Sequence, residues 1–295
     1  MATGETFLST VADGLDTILD AARAVREYKG VMARLAEDVR LEKNTGTAWN
    51  ELTFARLTAS AVSEVERVNN PQAYSASKFS LTPTRIVMHT FISDRGKDRL
   101  NETARAKMGA LPQNAIERKK DVDLLTVLDG ATNSQPGAGA SLTSGVIAAH
   151  ATNIRGNATE GAIGPLRGVL HPFQRYDLYA ELTAGVGTYP IGEGETAEVF
   201  KRGFTGSINE VAMFDDANIT IDSSSDAKGG VFAKEGIVIV QGKAPWVFDR
   251  HEPDIGGGGV SIWHYDEYIG GERLAANTTS AWVREVYSDA TAPTS

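Results

Sequence analysis

The chain of 295 residues contains no cysteine. That absence removes disulfide staples, thiolate metal sites and cysteine nucleophiles together. Durability must then come from packing and association. An apolar run of about 18 residues, the length a membrane-crossing helix needs, is also missing. The stretch from Met1 to Leu19 carries Glu5, Asp13 and Asp16 and no basic side chain. The basic start of a secretory signal is therefore absent. Basic charge is in deficit overall: 29 Lys and Arg stand against 38 Asp and Glu, a net charge of −9. A tight nucleic-acid binder presents a basic face to phosphate, and this balance disfavours it.

What is present is an ordinary folding composition. Hydrophobic residues make up 41% of the chain, a normal share for a folded protein. The length is enough for one large core or two smaller ones. Residues 6–28 read as an amphipathic helix, with Val11, Leu15, Ile18, Leu19, Ala22 and Val25 at steps of three and four. Its apolar stripe requires a surface, in the same domain or on another copy. Trp49 to Leu57 and Ile86 to Ile92 are strand candidates. The small, polar stretch Ala59 to Ser80 between them, with the turn signal Asn69-Asn70-Pro71, reads as an extended two-stranded excursion. An isolated hairpin is marginal in water, so this one also needs a surface to lie on.

Residues 94–130 are rich in helix formers. Pro112 predicts an interruption into two pieces. The second piece carries Val122, Leu125 and Leu128 on an apolar edge and Glu117-Arg118-Lys119-Lys120-Asp121 on a solvated face, and ends at Asp129-Gly130 in a left-handed cap. Residues 131–145 read as a loop. Leu166 to Leu170 is a short strand, and Pro172 opens an amphipathic helix carrying Phe173, Tyr176, Leu178, Tyr179 and Leu182. Ile208 to Ile221 follows, around an Asp215-Asp216 turn. Val231 to Val240 reads as one buried strand. Trp246 to Phe248 and Val260 to Trp263 are strands flanking the glycines 256–259, and Trp282 to Tyr287 is the last strand. The chain shows no internal repeat.

The chemistry-bearing residues form no strong motif. The histidines, His89, His150, His171, His251 and His264, lack the spacing of a helix-borne zinc site. His251-Glu252-x-Asp254 and His264-Tyr265-Asp266-Glu267 place His beside carboxylates, and the two clusters are candidates to meet in space as a metal or catalytic site. Surface salt-bridging is the simpler account. No Gly-x-Ser-x-Gly elbow is present. The glycines 256–259 are not followed by Lys-Ser or Lys-Thr and do not open a helix, so they are not a phosphate loop. Asp215-Asp216 and Asp222 to Asp226 lack the ligand order of a calcium loop and read as turn residues at a rim. The sequence thus nominates no catalytic residue, no cofactor and no metal.

The order of elements resembles the Hong Kong 97-type fold of tailed-phage major capsid proteins, an α+β fold. The residues that carry the resemblance are Asp121-Val122-Asp123-Leu124-Leu125-Thr126-Val127-Leu128-Asp129-Gly130 at the end of a spine helix, Val169-Leu170-His171-Pro172 at a helix entry, and Gly229-Gly230-Val231-Phe232-Ala233-Lys234-Glu235-Gly236-Ile237 at a late strand. The resemblance implies an N-terminal arm over residues 1–46, an extended β-hairpin loop over 47–92, and the spine helix with the first part of a peripheral domain over 93–165. It further implies an axial domain over 166–243 and returning strands of the peripheral domain over 244–295. It implies a structural protein that is not an enzyme. Copies would form hexamers and pentamers in an icosahedral shell of a virion assembled in the host cytoplasm. The shell would enclose double-stranded DNA without reading its sequence, with a portal and separate scaffolding or cement proteins as partners and no membrane. Acidic charge suits the lining of such a container, since it keeps DNA off the wall. Encapsulin nanocompartments share the fold and are the neighbouring reading. An α+β hydrolase using the His251 and His264 clusters is the distant one.

Overall fold

The structure is a computed structural model, described over residues 30–42, 46–62, 64, 71–99, 102–131, 133–158, 160–185, 207–273 and 282–293. The helix expected over residues 6–28 lies outside them. A helical turn, α1 (Met32–Leu35), leads into β1 (Glu37–Arg40). Then come β2 (Trp49–Phe54), β3 (Ala76–Leu81), β4 (Thr84–Ser93), the short α2 (Asp94–Arg99) and the long α3 (Glu102–Asp129). A two-residue β5 (Gln135–Pro136) precedes α4 (Ser144–Arg155), β6 (Leu166–Leu170) and α5 (Pro172–Gly185). The remainder is β7 (Ser207–Ile208), β8 (Val211–Asp215), β9 (Asp226–Ala233), β10 (Ile237–Glu252), β11 (Gly259–Glu272) and β12 (Val283–Asp289).

Three sheets result. One has the order β1-β10-β11-β4, a second β5-β12-β9-β6-β8-β7, and β2 pairs with β3 alone. The central strands β6 and β9 of the six-stranded sheet are buried on both faces, so their burial is near-continuous rather than alternating. Val169 and Phe232 face the core that contains Leu124, Leu125 and Leu128 of α3. Leu166, Leu170 and Val231 face Ile147 and Ile154 of α4 and Leu178 of α5.

Helix α3 touches both large sheets, and glycine admits it to each. Leu124 lies against Gly270 of β11 and Leu128 against Gly230 of β9, and a Cβ at either glycine would collide with the leucine. The same core holds Met32 and Leu35 of α1 and Ile237 and Ile239 of β10. One helix therefore fastens two sheets and the start of the described chain.

Several sequence expectations are corrected here. Pro112 does not divide the helix; α3 runs through it as a single 28-residue element. An internal proline forfeits one helical hydrogen bond and costs about 3 kcal/mol. Burial of Ile116, Leu124, Leu125 and Leu128 farther along outweighs that loss. The apolar edge uses Leu124 in place of Val122, which is exposed. The solvated face is interrupted, because Lys120 and Asp121 are buried. Gly130 follows the helix without left-handed backbone. The buried run from Val231 to Val240 is two strands: a 3-10 turn, Lys234–Gly236, ends β9 in one sheet and starts β10 in another. The two-stranded excursion is found as expected, with β3 (Ala76–Leu81) as its second strand, paired with β2.

The local signals that held are those needing no distant partner. Leu166–Leu170 and the helix from Pro172 fall where expected. The glycine turn joins β10 to β11, with Gly256, Gly257 and Gly258 all at positive φ.

Candidate assembly surfaces

Strand β2 alternates in an inverted sense. Its half-buried face carries Trp49, Glu51 and Thr53, and its exposed face carries Asn50, Leu52 and Phe54. Leu52 and Phe54 are each 63% exposed. A free hairpin places polar residues outward; this one presents apolar side chains to solvent. The inner face is tied down by Arg273, whose Nε lies 2.7 Å from Glu51 and whose Nη1 lies 2.6 Å from Glu37 of β1. The same guanidinium donates to the Glu235 carbonyl at 3.0 Å and lies over the Trp49 ring. Arg273 thus fixes the hairpin root to the turn that links the two large sheets. Sequence reading missed it, since its partners come from three distant segments.

A second surface lies on the outer half of β10 and β11. Trp246 stacks on Tyr265 with centroids 4.9 Å apart, and Phe248 lies 5.6 Å from Trp263, which stacks on His89 of β4. Lys243 and Arg85 approach the Trp246 ring at 3.8 and 5.6 Å. Val87, Met88, Val247 and Phe248 are exposed beside them. Counting outward from the glycine turn pairs residue 248 with 263 and 246 with 265. That pairing was therefore readable in the sequence, although its exposure was not.

The clusters proposed for chemistry do not come together. His251 lies opposite Val260 and His264 opposite Val247, four pairs apart along one hairpin, or about 13 Å of strand. His251 Nε2 lies 2.9 Å from Asp94 Oδ2. Asp266 is committed to Lys120 at 2.8 Å. Among the described residues no group of three or more His, Asp or Glu forms a metal-binding cluster. Asp222 accepts the backbone N–H of Ser224 and of Asp226. These bonds, that from Asp226 foremost, hold its carboxyl below the ordinary value. Asp216 departs from the expected rim position: it is fully buried. His150 is also fully buried, and desolvation, aided by the Arg284 charge, pulls its imidazole below the ordinary range.

His171 is a helix cap. Its Nδ1 accepts the Phe173 N–H at 3.2 Å, while Gln174 Oε1 accepts the His171 N–H at 3.0 Å. This is a reciprocal capping arrangement at the first turn of α5. Gln174 Nε2 then donates to the Ala227 carbonyl at 2.7 Å and to Ser288 Oγ at 2.8 Å. Burial pulls the His171 imidazole below its ordinary value, against the nearby Asp215 charge.

No family model and no curated protein matches this sequence. Solved structures do. The head structure of Helicobacter pylori bacteriophage KHP40 aligns at a TM-score of 0.71 and 11% identity, covering 92% of this chain and 94% of that one. The capsid of Ralstonia phage GP4 aligns at 0.68 and 14%, covering 93% and 95%. The chain has the Hong Kong 97-type capsid fold. The cyanophage Pam1 capsid asymmetric unit aligns at 0.67 and 10% identity over 98% of this chain and 99% of that one. The fold persists at this identity because its two large sheets and the long helix α3 depend on burial pattern rather than on particular residues.

Proposed function

We propose that the chain is a major capsid protein whose copies assemble into an icosahedral shell around the double-stranded DNA of a tailed phage. The observation that carries this is the β2–β3 hairpin, with Leu52 and Phe54 turned outward and its root fixed by Arg273. Such an element gains its stability from a surface supplied by another copy. The aromatic outer half of β10 and β11 supports the same reading. So does the capsid fold itself, shared with phage heads over almost the whole chain.

The role is structural rather than enzymatic, with neither cofactor nor metal. The separation of the His251 and His264 clusters weighs against a hydrolase. The phage heads and capsids among the solved structures favour a virion shell over an encapsulin compartment. We assign residues 1–46 to an arm, 47–92 to the extended loop, 93–165 to the spine and first peripheral part, 166–243 to the axial domain and 244–295 to the returning peripheral strands. Hexamers and pentamers would be the building units, assembled in the host cytoplasm with a portal and with scaffolding or cement proteins.

Negative-stain microscopy of the purified chain tests this. Closed shells, or free hexamers and pentamers, are expected. A monomer that never associates at high concentration, with or without a co-expressed scaffold, overturns it.

A further inference from the structure

Strand β4 closes one side of the four-stranded sheet. Its register with β11 runs unbroken from Thr84 opposite Tyr268 to Ser93 opposite Gly259. Just past that end, the Asp94 N–H donates to the Gly258 carbonyl at 3.0 Å. Antiparallel bonding alternates along a strand. The even-numbered residues of β4 therefore bond to β11, while Arg85, Val87 and His89 turn their backbone N–H and C=O groups to the other side. Among the described residues no strand pairs with that side. The side chains there are open to solvent: Val87 is 51% exposed and Met88 38%.

An open edge is ordinarily guarded by proline, bulges or outward charge. The outer half of β10, on the opposite side of the same ribbon, has such guards. It carries Pro245 and two register shifts between Gln241 and Trp246. Strand β4 lacks both proline and register shift. Arg85 is its only Lys, Arg, Asp or Glu, and that guanidinium reaches inward across β11 to the Trp246 ring. His89 lies flat against Trp263 of β11. The two side chains able to guard the edge both lean away from it.

We propose that β4 pairs antiparallel with β4 of a second copy, joining two four-stranded sheets into one. The open stretch Arg85 to His89 is centred on Val87. A two-fold axis there sets Val87 opposite Val87 and brings no two formal charges face to face. Val87 lies beside Tyr265, so the edge borders the aromatic surface of β10 and β11. The inference rests on the reading that copies assemble, and it names one contact between them.

Amide hydrogen exchange of the full chain, as dilute subunit and as assembly, tests this. In the subunit the Val87 N–H should exchange about tenfold or more faster than the Met88 N–H, which bonds to β11, and assembly should remove that difference. Protection of Val87 in the subunit, or its absence in the assembly, overturns the pairing. Val87→Pro deletes only an outward N–H, so it should fold and fail to assemble. Val87→Lys, which guards the edge without touching the backbone, should fail in the same way and decides the matter where the proline variant does not fold. Normal shells from Val87→Lys overturn the pairing and leave the capsid reading standing. A wild-type chain that never associates overturns both.

Discussion

Lys120 on α3 and Asp266 on β11 form an ion pair at 2.8 Å, with side chains 10% and 0% exposed. The pair lies inside the structure, although both residues sit in segments that read as charged surface. Asp266 also accepts the Glu267 N–H at 2.8 Å, and Lys120 lies over the Tyr268 ring. Tyr268 in turn donates its hydroxyl to Asp123 at 2.9 Å. Helix α3 is thus bound to the four-stranded sheet by polar as well as apolar contacts.

Removing one partner of this pair leaves a buried charge uncompensated. Lys120→Met is expected to destabilise the subunit by about 3–5 kcal/mol. Replacing both residues, Lys120→Met with Asp266→Leu, should recover much of that loss. Urea denaturation of the single and double variants measures it; equal losses in both would contradict the account.

Gln174 joins the cap of α5 to β9 and β12. Gln174→Ala removes the acceptor for the His171 N–H and the donor to Ala227 and Ser288. A loss of about 2–4 kcal/mol is expected, from unsatisfied buried groups plus a cavity. Gln174→Glu should be no better, since the new carboxylate cannot donate to the Ala227 carbonyl. Thermal melts of both variants check this.

Two glycine substitutions separate hard from soft obstacles. At Gly229 a Cβ would meet the backbone carbonyl of Val169, and at Gly270 it would meet the tip of the Leu124 side chain. Gly229→Ala should therefore cost more, about 2–3 kcal/mol against about 1 kcal/mol for Gly270→Ala. The reverse order in denaturation midpoints would show that β9 shifts more easily than β11.

The hairpin makes no contribution to either core cluster. Leu52→Ser with Phe54→Ser should leave the subunit's melting stability within about 0.5 kcal/mol of wild type. The same variant should lose assembly, as should deletion of residues 59–80. Normal shells from the double variant, seen by electron microscopy, would remove the outward face from the interface.

Burial lowers the pKa of His150, so the folded state holds it neutral. The unfolded chain then binds the extra proton, and stability from this group is lost as pH falls below about 6.5. Asp216 acts oppositely: its raised pKa makes stability fall as pH climbs from about 4 to 7. His150→Leu should remove the acid-side loss and leave the other slope in place. Melting temperatures between pH 5 and 8 would resolve the two.

Elements whose cause is local were legible. The strand Leu166–Leu170, the proline-started α5 and the glycine turn before β11 follow from propensity and backbone freedom within a few residues. The exposed surfaces were less so. The excursion was visible as a two-stranded stretch too polar for a core, but the bounds of β3 were not, because Lys78, Ser80 and their neighbours pair with β2 rather than bury themselves. The hydrogen bonds that Asp121 and Asp216 accept from the Met32 and Val31 N–H groups had no sequence signal at all; the acids lie 95 positions apart, at 121 and 216.

By itself the sequence determined the alternation of strands and helices, the capped entry at His171-Pro172 and the lack of any catalytic motif. All of these depend on near neighbours or on composition. Only the tertiary structure decided that Val231 to Val240 divides between two sheets, that α3 continues through Pro112, and that Lys120, Asp121 and Asp216 are interior. Those outcomes turn on which distant surfaces exclude water from a residue. Burial by remote segments changes the free energy of a charge or a proline by several kcal/mol, more than any local preference supplies.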